Sequence, residues 1–345
     1  MQRRTFLTFA GVAAVAVGAD KPPIGIGFLG AVHSHFDGKL AAVRSIADFR
    51  IIGISESDPK AQASLRKSGI ALLARDQLLN HPDIQVVAVE SAVRDHAADG
   101  LSVLKAGKHL HLEKAPADSM KAFQQIADVA RKKNLRLQVG YIYRHHPGIE
   151  KAIEAARKGW LGRVYLVRAN IGNQLAANRR PEWAEFAGGV MFELGGHVID
   201  PVARLMGRPL RVEVALRKDG NFDDTLKDNT VALIEWKNAT GIVQSATLQP
   251  GATRYRAFEV FGTNGSFVVN PLEPGGAFVD LEKAGGPYLS GRQKVELGPF
   301  RRYETDLRDL VAAVREEAEL PVTIEEELAV QEVLLRCSGM YELKP

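Results

Sequence analysis

Between residues 24 and 140, short apolar runs alternate with segments of helical periodicity. The runs are IGIGFL, RIIGIS, IQVVAVE, HLHLE and LRLQVG, and the segments between them (37–47, 61–69, 96–107 and 120–134) repeat apolar residues at helical spacing. Strand and helix in turn predict crossover units and a parallel sheet. After about residue 141 the pattern changes. A helical segment at 145–159 leads into strand-like stretches at 162–172, 210–218, 229–249 and 255–270, joined by turns rich in Gly, Asn and Asp. These predict a mostly antiparallel sheet. Two further helical patterns, 304–317 and 324–343, close the chain. The expected fold class is α/β: a parallel-sheet domain at 20–140, then an α+β domain at 141–345 carrying an open antiparallel sheet and the terminal helices.

The first strand contains a literal G-x-G-x-x-G, Gly25 to Gly30. A phosphate-binding glycine loop must follow a strand and open a helix, because the helix N-terminus supplies the amide donors. Read from Gly25, the strand before the loop would be DKPPI, and two prolines unsuit a buried central strand. Placing the strand at Ile24–Leu29 makes Gly30 the turn glycine of a Rossmann loop, GAVHSHFDG, with Val32 and His35 at the second and third glycine positions. The rim of the nucleotide site is then Gly30, Val32, His33, Ser34 and His35. Glu56, at the end of the second strand, is placed to hold ribose hydroxyls and to repel a 2′-phosphate, favouring NAD over NADP. His33 and His35 can donate hydrogen bonds to phosphate. As a metal pair they lack a third convergent ligand in the sequence, and no metal is expected.

Composition adds limits. The chain has 345 residues and a formal charge of +4, with basic residues scattered in short runs, which argues against nucleic acid as a partner. Residues 1–19 follow the plan of an export signal, and Arg3-Arg4-Thr5-Phe6-Leu7 resembles a twin-arginine signal, a bacterial route for folded proteins. The apolar run at 6–19 is short of the ~20 residues of a spanning helix. Cleavage and a periplasmic location are expected, with no stable membrane insertion. A lone cysteine, Cys337, allows no internal disulfide and is expected to be buried in the last helix.

Three ordered stretches, HPDIQVVAVESAVRDHAADGLSVLKAGKHLHLEKAPADS, GGVMFELGGHVID and FEVFGTNGSFVV, resemble the Gfo/Idh/MocA oxidoreductases along nearly the whole chain. The resemblance places that family's catalytic lysine on Lys114, its histidine on His197 and its aspartate on Glu193. Ser91, His96 and Glu113 join the cofactor site on the same ground, and Glu90 is left open between a nicotinamide-ribose contact and a solvated side chain. Two departures stand out. The proline after the lysine is Ala115 here, with Pro116 one place later, and Glu replaces Asp at 193.

Position supports the lysine independently, since Lys114 follows a predicted strand at the carboxyl end, where open α/β sheets bind ligands. Glu193 and His197 are spaced i, i+4 and suit acid/base work if they share a face, although Gly195 and Gly196 argue against regular helix before about Val198, and Pro201 fits a first turn. Asp200 reads as structural. Tyr141, Arg144, Asn170 and Trp183 are the candidate substrate contacts, Trp183 as a stacking platform for a sugar ring or equally as a core residue. The expected activity is NAD-dependent oxidation of a sugar, inositol or similar polyol, with tightly held cofactor and a homo-oligomeric assembly. Two alternatives remain open: an NAD-dependent glycosidase or lyase with no net redox change, and a non-catalytic ligand-binding protein.

Overall fold

A computed structural model describes residues 21–341. The predicted export signal therefore lies outside the described residues. Five strands, β1 (Ile24–Leu29), β2 (Phe49–Ser55), β3 (Val86–Val89), β4 (His109–Glu113) and β5 (Leu137–Gly140), form an all-parallel sheet in the order β2-β1-β3-β4-β5. Helices cover both faces, so β1, β3 and β5 are buried at every position, as the apolar runs of β1 and β3 imply. From β1 the chain crosses to β2 on one side, and β3 then lies on the other. The carboxyl ends of β1 and β3 consequently flank a topological switch point, the place where such sheets open a ligand crevice.

Gly25 and Gly27 are strand residues, and a Cβ on Gly25 would lie 1.8 Å from the Asp83 carbonyl oxygen. Gly30 makes the turn, at φ +84°, and its missing Cβ lets Ser91 approach to 2.4 Å from where that atom would stand. The helix Phe36–Ser45 follows directly.

The second domain holds eight strands: β6 (Val164–Gly172), β7 (Arg211–Arg217), β8 (Asn229–Trp236), β9 (Ala239–Ala246), β10 (Ala257–Gly262), β11 (Gly265–Val269), β12 (Ala277–Leu281) and β13 (Gly291–Lys294). Their order is β13-β12-β11-β10-β6-β9-β8-β7, antiparallel throughout except for the parallel pair β6–β9 at the centre. One face packs on helices. The other leaves Leu233 and Ile242, paired across β8 and β9, exposed.

The two domains share their core. The helix Ile324–Cys337, with Cys337 buried, packs against both the helix Met120–Lys132 and the helix Gly196–Met206. The helix Glu304–Val314, assigned above to the second domain, instead buries Leu307, Leu310 and Val311 with Ile24, Phe28, Phe36 and Leu40 of the parallel-sheet domain. No helix among the described residues is long and apolar enough to cross a membrane.

Candidate active site

A cleft of about 1090 Å³ opens at the switch point, lined by Gly30 and Val32 after β1, Glu56 and Asp58 after β2, Ser91 and Arg94 after β3, and Glu182 and Glu185 from the second domain. Glu56 braces it. Its Oε2 accepts the Ala31 amide at 2.6 Å and its Oε1 the Ser57 and Asp58 amides at 2.7 Å each, so the carboxylate is fixed where a ribose would lie. A carboxylate has about four lone-pair sites and can still accept from hydroxyls. Replacing Glu56 with alanine is expected to weaken NAD binding about tenfold and to erase the preference for NAD over NADP, read by titrating both nucleotides.

Beyond the cleft the chain packs an unusual number of ionisable groups out of water. Lys114 follows β4 and is 4% exposed. Its Nζ donates to the Glu193 main-chain carbonyl at 2.9 Å and lies 3.7 Å from Glu193 Oε2. The Lys114–Ala115 peptide is cis. Met191–Gly195 forms a π-helical turn before the helix Gly196–Met206, so the irregularity expected from the paired glycines is present, although regular helix resumes two residues earlier than anticipated. Pro201 lies inside that helix rather than in its first turn, and lacking an N–H it cannot make the i→i−4 bond to the His197 carbonyl.

Glu193 does not hydrogen-bond His197; its carboxylate faces Lys114, and its Oε1 is buried without a partner. Burial pushes the Glu193 carboxyl up to about 7, with Lys114 opposing. Burial, then the neighbouring Lys114, holds His197 well below its ordinary range, so its imidazole is neutral. His197 Nδ1 and the Tyr141 hydroxyl are also buried without partners. Tyr141 presents its ring to His197 at 6.4 Å and 90°. A folded carboxyl with a raised pKa contributes stability that is complete below its unfolded value and is lost as pH rises through the folded value. From below pH 4.5 to above pH 7, Glu193→Gln should therefore gain about 3 kcal/mol on the wild type, read by parallel denaturant titrations.

Against Lys114 sits a second cluster. Lys39 is fully buried, donating to Glu90 Oε1 at 2.5 Å and Glu113 Oε2 at 2.6 Å. Burial alone would disfavour its charge, but the two carboxylates outweigh that and hold the ammonium. Although burial pushes Glu113 upward, Lys39, His35 and His33 hold it well below the usual carboxylate range, whereas burial carries Glu90 up to about 8. One cation thus holds one anion and one largely protonated acid. His35 Nδ1 meets Glu113 Oε1 at 2.9 Å, and its ring lies 5.4 Å from that of His197. Burial lowers both His33 and His35. Tyr303 covers the cluster, its ring 5.6 Å from His35 and 5.8 Å from Lys39 Nζ.

The fold therefore sorts the expected residues. Gly30, Val32, Glu56 and Ser91 line the cleft, while His33, His35, His96, Glu113 and Glu90 belong to the buried cluster and Ser34 is exposed. His96 spans the Ala115 and Ser91 carbonyls at 2.9 and 3.1 Å, tying the segment after Lys114 to the cleft rim. Glu90 is not solvated. Among the substrate candidates only Tyr141 reaches the centre. The Arg144 guanidinium is consumed by Asp200 and Glu327 at 2.6–2.9 Å, a buried tie that also gives Asp200 its structural role. Asn170 alternates onto the open sheet face and donates to the Tyr255 carbonyl at 2.8 Å, and Trp183 is a core residue. The third convergent donor beside His33 and His35, absent from the linear pattern, is Glu113.

Sequence reasoning missed Lys39, Tyr143 and Arg256. The Tyr143 ring lies 6.2 Å from His197, and its hydroxyl donates to Glu273 at 2.6 Å and accepts from Arg256 at 3.0 Å. Lys39 did leave a signal, because Phe36, Lys39, Leu40 and Val43 share the buried stripe of one helix.

A Rossmann cleft at the switch point, with a buried lysine, a neutral histidine and a polarised carboxyl beyond it, defines a nicotinamide-linked oxidoreductase. The chain belongs to the GFO/IDH/MocA family: residues 24–141 match the family model described as "Oxidoreductase family, NAD-binding Rossmann fold", and residues 149–268 match the "GFO/IDH/MocA C-terminal domain". It is 26% identical over 288 residues to levoglucosan dehydrogenase of Pseudarthrobacter phenanthrenivorans, covering 72% of each chain. It is also 26% identical over 255 residues to dTDP-3,4-didehydro-2,6-dideoxy-alpha-D-glucose 3-reductase of Saccharopolyspora spinosa, covering 72% of this chain and 75% of that one. The fold is similar to that of a levoglucosan dehydrogenase solved with NADH and L-sorbose, at a TM-score of 0.78 and 20% identity over 92% of this chain and 96% of that chain.

Proposed function

We propose that the protein oxidises a secondary hydroxyl of a sugar, inositol or related polyol outside the cytoplasm, with NAD held tightly enough to be exported with it. The observation that carries the reading is the set of partnerless buried polar atoms around Lys114 and His197. Glu193 Oε1, His197 Nδ1 and the Tyr141 hydroxyl all lack hydrogen bonds. Each such atom left unpaired costs about 1–3 kcal/mol, so together they favour a ligand dense in hydroxyls.

The cleft residues fit the cofactor: Gly30 permits close backbone approach, Glu56 is fixed at the ribose position, and the buried Ser91 hydroxyl, also partnerless, faces the switch point. NAD, when bound, supplies the hydride acceptor. His197, neutral before reaction, takes the hydroxyl proton directly or through Lys114, and the Lys114 ammonium stabilises the oxygen as it loses that proton. Glu193 holds the ammonium in place through its carbonyl and carboxyl. The export half rests on Arg3-Arg4-Thr5-Phe6-Leu7. A soluble NAD pool is not expected beyond the cytoplasm, which is why tight retention belongs to the same reading.

The test is product analysis across a panel of sugars, glycosides and polyols. A keto product formed in step with reduced nicotinamide supports oxidation. Release of an aglycone with no net change in nicotinamide would replace it with the redox-neutral glycosidase.

A further inference from the structure

We propose that His33, His35, Glu113 and Glu90 form a site for one divalent transition-metal ion, of the kind zinc or iron(II) fills, in the buried cluster around Lys39. The donor atoms of His33, His35 and Glu113 lie within 4.8 Å of one another. The two imidazoles stand edge to face with centroids 4.7 Å apart. Metal–ligand bonds of about 2.0–2.2 Å put neighbouring donors about 3–4 Å apart, so closing the site needs a contraction of about 1 Å.

Lys39 arranges the carboxylates. Each of them gives one oxygen to its ammonium, Glu90 Oε1 and Glu113 Oε2, which turns the remaining oxygens toward the histidines. Glu113 Oε1 then meets His35 Nδ1 at 2.9 Å, and Glu90 Oε2 lies 4.0 Å from His33 Nδ1, which accepts the His35 amide at 3.3 Å, so His33 would reach the ion through Nε2. Glu90 Oε2 is the telling atom: it is fully buried, has no hydrogen-bond partner, and faces this cluster. Two nitrogens and two carboxylate oxygens suit zinc or iron(II), and a buried ammonium holding the outer oxygens is the kind of support that fixes ligand orientation. Two histidines in a loop that phosphate binding fills with glycine are also accounted for. The His35 ring is 5.4 Å from that of His197, so the proposed site adjoins the catalytic histidine.

This inference stands on the donor set and is independent of which alcohol is oxidised. The test uses the tag-free full chain, stripped with a chelator and titrated with Co(II) and then Zn(II), with elemental analysis after dialysis and thermal melting alongside. One ion per chain, a visible Co(II) band abolished by Zn(II) and a metal-dependent rise in melting temperature are expected. Affinity should fall at least about tenfold in His33→Ala and His35→Ala. Glu90→Gln keeps an oxygen for Lys39 and should also weaken binding, so it decides the matter if the histidine variants do not fold. Absence of a stoichiometric ion in the wild type, or unchanged affinity in a folded variant, would overturn the site.

Discussion

Lys114→Met is expected to lower turnover by about 10³-fold while leaving NAD affinity within about threefold. General acid/base groups contribute on the order of 10²–10⁴ to rate, and Lys114 is the charged group that pairs with Glu193 and faces His197. The cofactor cleft is lined by other residues, so its affinity is insulated. The substitution also removes the cation that opposes burial at Glu193, and the Glu193 carboxyl should rise above its value of about 7. Comparing kcat with nucleotide binding and melting temperature separates lost chemistry from lost folding. A fall in NAD affinity that matched the fall in kcat would make Lys114 a binding residue instead.

The second large effect is on stability. Lys39→Met should cost about 3–5 kcal/mol, because it removes the ammonium that Glu90 and Glu113 both accept from and leaves the Glu113 anion completely buried without that cation. Melting should fall by on the order of 10 °C. Adding Glu113→Gln to Lys39→Met should restore part of the loss, since it removes the buried anion left without its cation. Equal melting of Lys39→Met and wild type would show that the cluster is hydrated rather than sealed.

The parallel-sheet domain was legible because burial on both faces writes β1 and β3 as unbroken apolar runs, and β2, β4 and β5 lie where apolar residues recur between polar ones. The rest was less so. β13 reads GRQK, an edge strand with three polar side chains and no apolar alternation, and β12 has only five residues. The helix Glu304–Val314 carries an apolar stripe whose partner sits some 270 residues earlier in the chain, and periodicity cannot name a partner. For the same reason Arg144 looked like a substrate contact. Its buried acids, Asp200 and Glu327, are 56 and 183 residues away. Position gave Lys114, and resemblance strengthened it. Lys39 was overlooked because a lysine on a helix is usually solvated, although the stripe it shares with Phe36, Leu40 and Val43 carried the information.

The loop GAVHSHFDG bears most heavily on the account, since two of its glycine positions are Val32 and His35 and its histidines lean into the buried cluster. Mass spectrometry of the nucleotide released on denaturing protein purified from its native host, with NAD titrated into the stripped protein, tests the central claim most directly. The account predicts close to one NAD per chain and saturable rebinding. No released nucleotide together with no binding of added NAD would contradict it.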